Sequence, residues 1–158
     1  MFFVLALVCI ACKPCLATDR PDDLMSLITL SPATATPEKV TAVFGRPAKI
    51  EENNRKTWWH YIKGNVNLVV CWNKKSDALE KFSFTCEQPQ KTAFDNALYR
   101  KLKSGATDIA AAVKLLGTPK DMTIKKMTQE MHYTYEKSVL RLFFRDKVLV
   151  DFTLLSQK

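Results

Sequence analysis

Glycine and histidine are scarce in this chain, with four glycines and two histidines in 158 residues. The glycines stand at 45, 64, 105 and 117, too far apart for the Gly-rich loop that cradles a phosphate, so nucleotide-binding enzymes of that kind are excluded. His60 and His132, with no carboxylates placed beside them by spacing, make a poor zinc site, so no metal and no cofactor is expected. Long apolar runs are missing too. The longest, at the start, holds about ten residues, short of the roughly 17–25 that cross a bilayer as a helix. No lysine or arginine precedes that run; the first positive residue is Lys13. After residue 17 cysteine dwindles to Cys71 and Cys86.

What is present supports a folded core: 47% of the residues are hydrophobic and 10% aromatic. Residues 1–17, MFFVLALVCIACKPCLA, combine an apolar stretch with the small-residue end Cys15-Leu16-Ala17, which predicts a signal peptide cleaved after Ala17 and a protein exported to the periplasm, the outer membrane or the medium. A second reading keeps Ile10-Ala11 ahead of an acylated Cys12, although Cys9 stands where a lipoprotein signal usually carries leucine. A third retains the segment as an anchor. Removal of the signal leaves two cysteines on adjacent hairpin strands. With the turn near Lys74–Asp77, Cys86 falls about 20 Å along the hairpin from the residue opposite Cys71, too far for a disulfide, and two free thiols are expected.

The chain repeats itself at an offset of 72. Gly45-Arg46-Pro47 recurs as Gly117-Thr118-Pro119, His60-Tyr61 as His132-Tyr133, and Leu68, Val70 and Trp72 as Leu140, Leu142 and Phe144. Asp23 and Leu30 return as Asp95 and Leu102. After a turn two residues shorter, Leu79, Phe82 and Phe84 match Leu149, Phe152 and Leu154. The repeats are expected at 18–90 and 91–158.

Each copy opens with helices. Thr36-Pro37-Glu38 supplies an N-cap, a proline at the first helical position and a first-turn acid, and Gly45 with Pro47 ends that helix. Thr107-Asp108 starts its counterpart over 109–116, which stops at Gly117 with Pro119 beyond. Shorter helical candidates, Asp22–Leu30 and Phe94–Lys103, precede them. Strands are predicted at Thr57–Lys63, Asn65–Asn73 and Leu79–Cys86, then Glu130–Tyr135, Val139–Arg145 and Lys147–Leu155. Residues Asp121 to Gln129 read as an exposed loop carrying Lys125 and Lys126. The expected class is α+β: two tandem α-α-β-β-β repeats forming an antiparallel sheet with helices packed on one face.

Alternation separates the two faces. Trp59, Tyr61, Leu68, Val70, Trp72, Phe82 and Phe84 join Met131, Tyr133, Tyr135, Leu140, Leu142, Phe144, Val150, Phe152 and Leu154 against the helices. The opposite face mixes aromatic, basic and hydroxyl groups and is left to solvent. On it Trp58, His60, Val69, Lys81, His132, Arg141, Phe143 and Arg145 are the candidate partner-binding residues, because aromatic and arginine side chains dominate binding hot spots. Cys71 shares that face as a half-exposed thiol, and the two histidines occupy equivalent positions on it, read as two copies of one ancestral strand position, with a metal or proton-transfer site across a pseudo-twofold as the lesser alternative.

The formal net charge of +8 spreads along the chain rather than clustering. It suits either a plain basic surface or attraction to an anionic membrane surface such as lipid headgroups or lipopolysaccharide. Nucleic acid is not an expected partner, because no dense basic stripe is interleaved with aromatics.

Helix, Gly-x-Pro, loop, the aromatic strand Thr57-Trp58-Trp59-His60-Tyr61 and a hairpin together resemble the SmpA/OmlA outer-membrane lipoprotein family and, in tandem, the β-lactamase-inhibitory-protein fold. The resemblance spans about residues 20–156. It implies a non-catalytic envelope or secreted protein that binds a protein partner through its sheet and loops. The chain departs from both: SmpA/OmlA-like members usually hold one copy of the unit, and the inhibitory protein carries a disulfide in each repeat.

Overall fold

A computed structural model of the protein describes Leu30, residues 32–87 and residues 95–156. The signal segment with Cys12, and most of the helix expected at Asp22–Leu30, lie outside the described residues. The elements run α1 (Pro37–Phe44), β1 (Lys49–Glu52), β2 (Lys56–Lys63), β3 (Val66–Asn73) and β4 (Leu79–Cys86), then α2 (Asn96–Tyr99), α3 (Ile109–Leu116), β5 (Asp121–Lys125), β6 (Thr128–Tyr135), β7 (Ser138–Arg145) and β8 (Val148–Ser156).

The helix boundaries follow the capping chemistry. The Thr36 hydroxyl accepts from the Lys39 N–H at 3.3 Å, and the Asp108 carboxylate accepts from the Ala111 N–H at 2.7 Å. Gly45 and Gly117 end α1 and α3 with nearly identical backbones, φ 78° and ψ −157° against φ 80° and ψ −161°. Side chains other than glycine's are strained there, which is why a glycine stands at both sites. Their N–H groups donate to Thr41 and Val113 carbonyls, each at 2.8 Å. The chain then turns into the sheet in the same way twice: the Ala48 N–H donates to the His60 carbonyl and the Lys120 N–H to the His132 carbonyl, both at 2.8 Å.

That shared entry adds a strand to each repeat. β1 and β5 were not expected as strands, and the unit holds four strands, not three. Asp121–Lys125 is no exposed loop: β5 lies inside the sheet, hydrogen-bonded to β4 on one side and β6 on the other. All eight strands form one antiparallel meander in sequence order. The repeats therefore join through β4 and β5 into one continuous sheet. β1 and β5 point the same way, so the copies are related by a shift of four strands, about 19 Å, and not by a twofold.

α1 and α3 cover one face. Val40 and Phe44 from α1, and Ile109, Ala112, Val113 and Leu116 from α3, are buried in one cluster with Tyr61, Leu68, Val70, Trp72, Phe82, Phe84, Met122, Ile124, Met131, Tyr133, Leu140, Leu142 and Phe144. Trp59 packs edge-on to Trp72, with ring centroids 5.4 Å apart. The inward set is as expected with one exception. A bulge at Phe143/Phe144 pairs Phe144 with Leu149 and Phe143 with Asp151, so Leu149 is fully buried while Val150 is 46% exposed. The first repeat has the same bulge at Cys71/Trp72, skipping Glu80. Of the helix expected over Phe94–Lys103, Phe94 lies outside the described residues and, among the rest, only Asn96–Tyr99 is helical; Asp95 caps it by accepting from the Ala97 N–H at 2.7 Å.

The candidate binding face

The face opposite the helices is built from rows of cross-strand neighbours. One row runs Lys49, His60, Val69, Ser83, Thr123, Glu130, Phe143, Asp151 from β1 to β8. A second runs Glu51, Trp58, Cys71, Lys81, Lys125, and a third Thr85, Asp121, His132, Arg141, Thr153. Trp58, His60, Val69, His132 and Phe143 are half-buried, whereas Lys81, Arg141 and Arg145 are exposed.

The eight candidates thus share one face but not one site. Trp58, His60, Val69 and Lys81 occupy β2 to β4; His132, Arg141, Phe143 and Arg145 occupy β6 and β7. His60 and His132 sit on equivalent strands four apart, which rules out a shared site across a twofold. Each has its own carboxylate instead. Glu51 on β1 approaches His60 Nε2 to 3.6 Å, longer than a hydrogen bond, and Glu130 lies 2.7 Å from His132 Nε2. Among the described residues no group of three His, Cys, Asp or Glu side chains is placed to hold a metal ion.

Cys71 is buried, not half-exposed, because Trp58 and Lys81 flank it on the neighbouring strands. Burial pushes its thiol pKa up; Lys56 and Lys81 pull against that and Glu80 adds to it. A nucleophilic thiol needs the opposite shift. Cys86 is buried in the core on the other face of the sheet, so both cysteines are free thiols.

Sequence reasoning overlooked Glu51, Asp121, Thr123, Lys125 and Glu130 as members of this face. A signal for the middle three existed: Asp121-Met122-Thr123-Ile124-Lys125 alternates polar with apolar at a strand's period, and Met122 and Ile124 are buried.

Three lysines near the first repeat's strands are paired locally with glutamates. Lys49 meets Glu51 at 2.6 Å, Lys56 meets Glu80 at 2.6 Å, and Lys74 meets Glu52 at 2.5 Å. Bonds from Lys56 and Asn73 hold the Glu80 carboxyl below the usual carboxylate range. A cavity of about 230 Å³ opens on the helix side, lined in part by Ile109, Ile124, Lys126 and Gln129; small-molecule pockets usually hold roughly 300–1,000 Å³.

Two tandem repeats, one antiparallel sheet and helices on a single face define an α+β protein of the β-lactamase-inhibitory-protein fold. A solved structure carries the likeness: a candidate beta-lactamase inhibitor protein from Streptococcus mutans superposes with a TM-score of 0.54 at 17% identity, over 89% of this chain and 99% of that one. A DUF4309-family protein from Bacillus subtilis matches 79% of this chain and 80% of that one at 18% identity, but its TM-score of 0.29 carries no argument. No protein-family model and no curated protein matches the chain, so the SmpA/OmlA side of the resemblance gains no support.

Proposed function

We propose that this protein is an exported, non-enzymatic binding module that holds a protein partner on the open face of its sheet. One observation carries the reading. α1 and α3 lie on the opposite face, and the face they leave displays the half-buried aromatics Trp58 and Phe143 among exposed cations. Aromatic anchors inside a polar surround are the composition of a protein interface. The likeness to the Streptococcus mutans protein supports a protein partner in general.

The test is capture of partners from a cell-envelope extract by the wild-type chain, by Trp58→Ala/Phe143→Ala and by a helix-side surface variant, Val43→Ala, with the captured proteins identified by mass spectrometry. A partner lost from the double variant and retained by Val43→Ala supports the reading. Equal capture by all three overturns it. The export half has its own check at the mature N-terminus: a free Thr18 or an acylated Cys12 supports it, as does an uncleaved chain recovered with the membrane, and an intact Met1 on a chain recovered from the cytosol overturns it.

A further inference from the structure

Lysines that look scattered in sequence are gathered by the meander. Lys81 on β4 and Lys125 on β5 are direct cross-strand partners at the seam between the repeats. Their Cβ atoms are therefore about 5 Å apart, a placement in which like charges destabilise a sheet. Beyond Lys125, Thr128 begins β6 and pairs with Arg145 on β7, which places a third cation about 10 Å further along the same row. All three are exposed, and none has an ion pair among the described residues, whereas Lys49, Lys56 and Lys74 each have a glutamate. Lys126 adds a further exposed cation at the adjoining turn.

This row does not reflect the repeat. The positions equivalent to Lys81 and Arg145 are Asp151 and Asn73. It exists only because the β4–β5 seam brings one repeat's last strand against the other's first. It also borders the aromatics: Cys71 alone separates Lys81 from Trp58 across the strands, and Phe143 is two residues from Arg145 on the same face.

We infer that the Lys81–Lys125–Arg145 row is the electrostatic half of the binding face and that it selects a protein partner with an acidic surface. The inference rests on the open-face reading. Carboxylates spaced along a protein surface match three cations strung over an open sheet. Flanking aromatics give such a partner an apolar anchor that a phosphate alone does not use.

The full chain is titrated with a labelled poly-L-glutamate peptide and, separately, with phosphatidylglycerol vesicles, at low and high salt. Two variants with the same loss of charge are compared: Lys81→Gln/Lys125→Gln at the row, and Lys120→Gln/Lys137→Gln at the other end of the sheet. The row pair is expected to weaken peptide binding about tenfold, with the distal pair changing it far less, and wild-type binding is expected to fall steeply with salt. Equal losses from the two pairs overturn the inference, since they show a diffuse basic surface. Vesicle binding that depends on the row pair while peptide binding does not overturns it in favour of a membrane surface. The two readings fail separately: a neutral row pair with Trp58→Ala/Phe143→Ala still impairing capture sinks the acidic partner alone, and a sensitive row pair with unimpaired capture sinks the aromatic anchor.

Discussion

The Tyr133 hydroxyl donates to the Gly117 carbonyl at 3.2 Å, while Tyr61, its counterpart in the first repeat, has a buried hydroxyl that lies near the Thr41 side chain without a well-formed hydrogen bond, and its ring is tilted 52° to that of Phe44 with centroids 5.7 Å apart. The same residue type at the same repeat position ties a helix terminus to the sheet in one copy and only packs there in the other. Tyr133→Phe is therefore expected to lower stability by about 1 kcal/mol, and Tyr61→Phe to leave it unchanged or raise it slightly. Paired urea denaturation curves check both; equal effects would contradict the asymmetry.

Burial also holds both phenols in their neutral form. The Tyr61 pKa is pushed up to about 12, and that of Tyr133 is raised further. An unfolded tyrosine ionises near pH 10, so above that pH the unfolded state binds fewer protons than the folded one. Stability is accordingly expected to fall as pH rises from about 10 towards 12. Phenolate absorbance followed alongside circular dichroism should show these tyrosines ionising together with unfolding.

The bulge in β8 makes a sharp distinction between neighbours. Leu149→Ala should cost about 2–5 kcal/mol, because it empties a fully buried site. Val150→Ala should stay within about 0.5 kcal/mol, because that side chain is exposed. Thermal melts of the two variants decide the register, and a reversed order would mean the strand is paired one residue out.

Gly45→Ala is expected to lower stability by about 1–3 kcal/mol. A Cβ there meets no other atom within 4 Å, so the cost is backbone strain at φ 78°. A neutral result in calorimetry would show that the turn relaxes.

Cys71 and Cys86 should resist alkylation in the native protein and react at once in denaturant, because both are buried and burial raises the Cys71 pKa. Peptide mass spectrometry after iodoacetamide pulses reads each thiol separately.

Much of this architecture is written locally. Thr36, Pro37 and Gly45 mark α1, Asp108 and Gly117 mark α3, and the alternation from Trp59 to Phe84 and from Met131 to Phe144 sorts core from open face. Each of these signals acts within a turn of helix or along one strand, so one segment is enough to read it. The fold class and the 72-residue repeat followed from such signals alone. The strand identity of Lys49–Glu52 and Asp121–Lys125 did not, because short segments with charged ends become strands through the partners that receive their hydrogen bonds. Nor did the exposure of Val150, which depends on one skipped residue against Phe143, or the burial of Cys71 between Trp58 and Lys81.

The largest gap concerns charge. In sequence, Lys81, Lys125 and Arg145 are far apart: alternation puts Lys81 and Arg145 on the open face, but nothing links them to each other or to Lys125, which reads as a loop residue. Tertiary structure alone makes them a row, because the pairing of β4 with β5 sets distances that separation along the chain does not encode. Local sterics and burial wrote α1, α3, their caps and the inward faces of β2 to β4, β6 and β7 into the sequence; the joining of the two repeats across one seam decided which exposed residues share the binding face.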